Sequence, residues 1–141
     1  MPLKNEQKLY ERLRKSLTTH HLTRIETRVN LGIPDCLVAC PSGNFVMVEL
    51  KVVTRGRKIN LSPHQYSFHL KHAAMKCPTF ILVEQWSTTA PKQLLLYTGA
   101  QAKDIFDKGV LCPPIGSWPL AAVDWNDVEK ILDGIFKDGL T

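Results

Sequence analysis

Two acids and a lysine stand close together in the stretch Gly32 to Lys51, GIPDCLVACPSGNFVMVELK. Asp35 follows a Gly-Ile-Pro, Glu49 lies near the end of an apolar run, and Lys51 comes two residues later. Side chains alternate along a strand, so Glu49 and Lys51 share one face. A hairpin that brings Asp35 beside them assembles hard oxygen ligands for a divalent cation, next to an ammonium that steadies an attacking water or developing negative charge. Pro34 fixes its own φ and holds Ile33 extended, which aims Asp35. The competing reading is an edge strand that shows Glu49 and Lys51 to water as a weak surface pair. Phe45, Met47 and Val53 argue against it, because they make the same face apolar on both sides of the charged pair.

The elements that must position these groups follow from periodicity and punctuation. Leu9, Leu13 and Leu17 recur at helical spacing and predict a first helix over about Leu3 to Leu17. Glu6 falls on that same stripe, whereas Glu11 lies round the other side. Two explanations stand for Glu6: it favours the helix dipole, or it reaches a site under the helix. Arg24 to Val29 reads as the first strand and Pro34 to Cys40 as the second. Pro41 to Asn44 forms a hairpin turn, and Phe45 to Val53 is the third strand. Thr54 to Lys58 is a basic loop. Ser62-Pro63-His64-Gln65 then starts a helix that runs to about Met75, with Ser62 as N-cap, Pro63 first in the helix and Gln65 closing a capping box. Gln65 either only caps the backbone or also faces the site. Gln65, His69 and His72 share a face, a poor zinc set because no acid or cysteine joins them at a strong spacing.

Further on, Thr79 to Glu84 (TFILVE) reads as a covered strand and Gln93 to Tyr97 as another, separated by a turn at Ala90 to Lys92. Gly99 to Lys108 reads as a short helix. Gly109 to Pro119, with its three prolines, is expected to be irregular, and Asp124 to Lys137 to be a final amphipathic helix. The sum is an α/β fold, a mixed sheet flanked by helices. At 141 residues the chain reads as one domain, with 44% hydrophobic and 22% charged residues, as in globular proteins. No apolar run approaches the roughly 20 residues that span a membrane. The opening Met-Pro-Leu-Lys-Asn-Glu lacks the apolar region of a signal peptide, so the chain is expected in the cytosol. Cys36, Cys40, Cys77 and Cys112 are scattered, with no CxxC, and are expected to be free thiols. The net charge of +5 points mildly to a polyanionic partner.

The order of these residues resembles the PD-(D/E)XK nuclease superfamily: a helix acid Glu6, then Pro34-Asp35, then Glu49-Leu50-Lys51, then Gln65 on a helix. Thirteen residues separate Asp35 from Glu49. The chain is similar to small stand-alone VRR-NUC domains of phages and bacteria, and to archaeal-type Holliday junction resolvases. The likeness covers about Asn5 to Glu84. It implies a restriction-endonuclease-like fold with a core over about residues 5–98, and it leaves residues 99–141 as an extension with a packing or dimerisation role. It implies that Asp35, Glu49 and the carbonyl of Leu50 bind Mg²⁺, with Mn²⁺ as a substitute, and that Glu6 is a further direct or water-mediated ligand. Lys51 would position the attacking water or neutralise charge at the phosphate, and the products would carry 5′-phosphate and 3′-hydroxyl ends. Arg55, Arg57, Lys58 and Lys71 would grip phosphates, with His69 and His72 on a DNA-facing stripe. A structure-selective endonuclease acting on branched DNA, as a homodimer, is the expectation. A flap or single-strand nuclease, an exonuclease, a binding-only module of this fold, or a chance motif in a structural protein are the alternatives. The same resemblance implies a bacterial or phage source.

Overall fold

The computed structural model describes residues 4–26 and 31–134. Six strands form one sheet in chain order: β1 (His21–Arg24), β2 (Cys36–Ala39), β3 (Phe45–Val53), β4 (Thr79–Gln85), β5 (Gln93–Thr98) and β6 (Gly116–Pro119). Neighbours are antiparallel except β3 and β4, which run parallel. A parallel pair needs a long crossover, and here α2 (Pro63–Ala74) supplies it. The other helices are α1 (Lys4–Ser16), α3 (Ala102–Lys108) and α4 (Trp125–Leu132). The expected α/β fold, a mixed sheet flanked by helices, is therefore the fold observed.

Each sheet face carries its own core. Leu9, Leu13 and Leu17 from the first helix and the turn after it, with Val128 and Leu132 of α4, cover Val38, Val46, Val48, Leu50, Leu82, Leu94 and Leu96. Tyr66 and Leu70 of α2, with Ala102 and Ile105 of α3, cover Val53, Ile81, Val83, Leu95 and Tyr97. Full burial of each of these aliphatic side chains contributes roughly 1.5–3 kcal/mol. Because both faces are covered, β3 and β4 are buried along most of their length, and the charged pair on β3 is taken out of water with them.

The strand boundaries depart from the expected ones at the N-terminal half. β1 ends at Arg24, and β2 begins at Cys36 rather than Pro34. Pro34 has no N–H to give a ladder, and the chain bends at Asp35, so the β1–β2 ladder ends at Arg24, followed by the bond from Ile25 N to Asp35 O at 2.8 Å. Residues 27–29 of the expected first strand lie outside the described residues. β3 and α2 match expectation closely.

The stretch Gly109 to Pro119 corrects the sequence reading. Gly109–Leu111 is a 3₁₀ turn, and Gly116–Pro119 is strand β6, paired to β5. Prolines are tolerated there because β6 is an edge strand whose outer side needs no N–H. Gly99–Gln101 forms a 3₁₀ turn ahead of α3. Asp124 is the N-cap of α4 rather than its first residue, accepting from Asp127 N at 3.2 Å. Ile135 and Phe136 of the expected final helix lie outside the described residues. All four cysteines are free thiols. Among the described residues no helix is long and apolar enough to cross a membrane.

Candidate active site at the start of the second and third strands' divergence

The pairing of β2 with β3 begins at Cys36 opposite Val48, so β3 runs on past its neighbour. Asp35 fills that gap. Its Oδ2 accepts from the backbone N–H of Leu50 at 2.7 Å, in the place a strand would otherwise take. In a ladder a residue turns its N–H and its C=O toward the same neighbouring strand, so the Leu50 carbonyl lies on this same edge. The loop before Asp35 is held just as firmly. Gly32 has φ +75°, and a Cβ there would run into the His64 carbonyl at 2.2 Å and Gln65 N at 2.7 Å, at the head of α2. Only glycine combines that φ with that approach.

Glu49 and Lys51 project to the α2 side and are both buried, at 1% and 9% exposure. The surface-pair reading is thereby excluded. One side chain joins them. Gln65 donates from Nε2 to Glu49 Oε2 at 3.0 Å, and its Oε1 accepts from Lys51 Nζ at 3.0 Å. The same Oε1 also accepts from Ser62 N at 3.0 Å, while Gln65 N donates to Ser62 Oγ at 3.1 Å. The Gln65 side chain therefore caps the helix and contacts both charged groups at once. The capping box fixes the amide, and the amide then fixes the two charged groups.

Burial pushes the Glu49 carboxyl well above the usual carboxylate range, and the nearby Asp35, through its charge and a hydrogen bond, pushes it further; Lys51 pulls it down and Glu6 pushes it up. Glu6, half-buried at the start of α1, is raised by burial first, lowered by Lys51 and raised by Asp35. Its carboxylate thus lies within electrostatic reach of the other three groups. Cys36, beside Asp35, is an inert buried thiol, pushed up to about 12 by burial and then by Asp35.

Glu6, Asp35 and Glu49 lie within electrostatic reach of one another, and Glu49 Oε1 is a buried acceptor without a donor among the described residues; such oxygen groups suit a hard dication. These residues fit Mg²⁺ or Mn²⁺. Among the described residues, Glu49 Oε1 and His69 Nε2 have no hydrogen-bond partner and face each other at 3.8 Å.

His69 is the correction at this site. It was expected on a DNA-facing stripe, but its side chain is 0% exposed. Its Nδ1 is 2.9 Å from Thr79 Oγ1, and burial holds the imidazole neutral, with a pKa lowered to about 4. The physical reason was available in the spacing. A residue four after Gln65 lies one turn down the same helix face, and a face that packs Gln65 onto β3 packs His69 onto the sheet as well. The backbone of Gly99 packs directly against Thr79, since a Cβ there would collide with Thr79 Oγ1. His72 sits on the flank, part-buried, donating from Nδ1 to the Phe68 carbonyl at 2.7 Å and stacked on Phe68 at 3.8 Å. Arg55, Arg57 and Lys58 are exposed in the loop directly after β3, and Lys71 is exposed on α2. That loop is pinned by the bond from Val110 N to the Arg57 carbonyl at 2.8 Å.

No protein-family model matches the chain, and no curated protein does. Among solved structures it is similar to Hjc, a Holliday junction resolvase from the archaeal hyperthermophile Archaeoglobus fulgidus, at 10% sequence identity over 65% of this chain and 72% of that one, with a TM-score of 0.45.

Proposed function

We propose that this chain is a divalent-metal-dependent endonuclease of the PD-(D/E)XK kind, which hydrolyses phosphodiester bonds in DNA and prefers branched DNA such as a four-way junction. The observation that carries the reading is the Gln65 carboxamide holding Glu49 and Lys51 in fixed relation beside Asp35. A fold has no structural need to bury Glu49 next to a second, part-buried acid, and desolvating it there costs free energy unless a cation is taken up. Asp35, Glu49 and the Leu50 carbonyl would hold Mg²⁺, or Mn²⁺ in its stead, with Glu6 reaching it directly or through a water. Such an ion, when bound, supplies Lewis acidity at a phosphate oxygen and a more acidic water.

The chain's own groups account for the rest. Lys51, held by Gln65 Oε1, places a positive charge where negative charge develops on the phosphate. Arg55, Arg57, Lys58 and Lys71 are exposed and contact backbone phosphates, which gives affinity without sequence preference. The preference for branched DNA follows the residue order shared with resolvases, and two symmetric cuts in one junction call for a homodimer.

The test is cleavage of a labelled four-way junction beside matched flap, linear duplex and single strand, with Mg²⁺, Mn²⁺ or EDTA, for wild type and Asp35→Asn. Paired symmetric nicks in the junction, absent with EDTA and in the variant, are expected. Equal cutting of all four substrates would sink the junction preference. Binding without cutting by a folded, metal-supplied protein would move the reading to a binding module.

A further inference from the structure

A second cluster of ligand-type side chains lies at the opposite end of β2. His20 follows α1, Cys40 follows β2 and Asp133 caps the end of α4. They offer one ligand atom each, all within 4.8 Å of one another. Cys40 is five residues from Asp35 along an extended strand, so this cluster is roughly 16 Å from the candidate active site.

His20 has oxygen acceptors at both of its ring nitrogens. Its side chain is 1% exposed. Nδ1 is 3.1 Å from Thr19 Oγ1 and 3.4 Å from Glu129 Oε2. The single hydroxyl proton of Thr19 goes to Glu129 Oε2, at 2.9 Å. Thr19 Oγ1 and Glu129 Oε2 therefore both face Nδ1 as acceptors. Nε2 is 2.7 Å from a third acceptor, Asp133 Oδ1. A neutral imidazole has one N–H and serves only one of these two sides, so its other nitrogen is a ligand atom for a metal ion. The thiol of Cys40, 6% exposed, adds the third group and donates to the Leu132 carbonyl at 3.7 Å.

We propose that His20, Cys40 and Asp133 bind a thiophilic divalent ion of the zinc class, which staples α4 to the sheet. Imidazole nitrogen, thiolate sulfur and carboxylate oxygen are zinc ligands, and sulfur disfavours Mg²⁺. With Nε2 on the ion, an Nδ1–H directed at Thr19 and Glu129 would be the outer support that fixes a ligating imidazole. Binding forms one bond to each ligand and releases the Cys40 thiol proton to solvent. A dication with one thiolate, one carboxylate and a neutral imidazole is charge-neutral, which suits a buried place. Asp133, whose side chain is 34% exposed, leaves an opening for a water as fourth ligand. The ion would join the α1–β1 turn, the end of β2 and the end of α4, and so acts on stability rather than on cleavage.

The probe is Co²⁺ added to the reduced full chain, followed by absorption. The expected result is a near-ultraviolet thiolate-to-cobalt band and visible bands of tetrahedral cobalt, saturating at one equivalent and displaced by Zn²⁺. Cys40→Ser should abolish the thiolate band, and Asp133→Asn should weaken Co²⁺ binding by at least about tenfold. Glu49→Gln should leave the band in place, which separates this site from the candidate catalytic one. Zn²⁺ should raise the unfolding midpoint of wild type but not of Asp133→Asn, whose exposed side chain makes it the variant to rely on if Cys40→Ser misfolds. A folded protein with no thiolate band, or a band that survives in Cys40→Ser, overturns the proposal and leaves His20 held between Asp133 and Glu129 with no ion.

Discussion

Replacing Gln65 by alanine removes one cap contact and two contacts to buried charges at once, and the size of the loss tests whether the bridge exists. The cap alone is measured by Ser62→Ala, which deletes the oxygen that accepts from Gln65 N at 3.1 Å. Losses of this kind cost about 1 kcal/mol. Gln65→Ala also leaves Lys51 Nζ and Glu49 Oε2 without their partners at 3.0 Å, on side chains that are 9% and 1% exposed. A buried polar group stripped of its partner costs about 1–3 kcal/mol, and more when charged. The expected sum is about 3–7 kcal/mol, or roughly 10–20 °C in the unfolding midpoint for a chain of this size. The assay is thermal and denaturant unfolding of wild type and the two variants, with cleavage rates measured on the same preparations. Cleavage should persist in Ser62→Ala and fall at least tenfold (about 1.4 kcal/mol) in Gln65→Ala. If Gln65→Ala costs no more stability than Ser62→Ala, Gln65 is a cap and nothing else, and the reasoning about the site is refuted.

Three other outcomes are expected. Because Glu49's folded pKa is raised, its contribution to stability is present below its ordinary 4.5 and is lost as pH rises. Glu49→Gln should therefore stabilise the metal-free protein at neutral pH while abolishing cleavage; a variant that still cuts DNA would show the site is misassigned. His69 works the other way. With a folded pKa of about 4 against 6.5, its contribution is full above 6.5 and is lost as pH falls toward 4, by about 3 kcal/mol in all. His69→Leu should flatten that acid loss in urea titrations at stepped pH, and an unchanged slope would mean the imidazole titrates freely. Removing Arg55, Arg57 and Lys58 together should weaken binding to every DNA shape alike and lower the salt slope by about 0.9 per lost phosphate contact; a change in shape preference at constant slope would contradict a phosphate-only role.

The chain's own residues dictated a good deal of this architecture without help from tertiary structure. The period-2 pattern of Phe45 to Val53 and the Ser62-Pro63-x-Gln65 start are local signals, set by strand pleat and by orphan helix N–H groups, and both elements appear where those signals place them. The stripe through Glu6, Leu9 and Leu13 likewise told which side of α1 packs. Other features depended on contacts between residues far apart in sequence. β6 forms from a proline-rich segment only because β5 offers an edge. β1 stops at Arg24 because its partner begins after Pro34. His69 is buried because α2 lies against β3 and Gly99 closes over Thr79, so a helix position that looks polar in the sequence is an interior one. His20, Cys40 and Asp133 have no spacing to read at all, and only the packing of α4 on the sheet brings them together. The sequence by itself marked Glu6, Asp35, Glu49, Lys51 and Gln65 as candidate groups and picked out the local elements that hold them. Tertiary structure decided which of those groups leave water, since burial depends on what packs across a face and not on the residues along it.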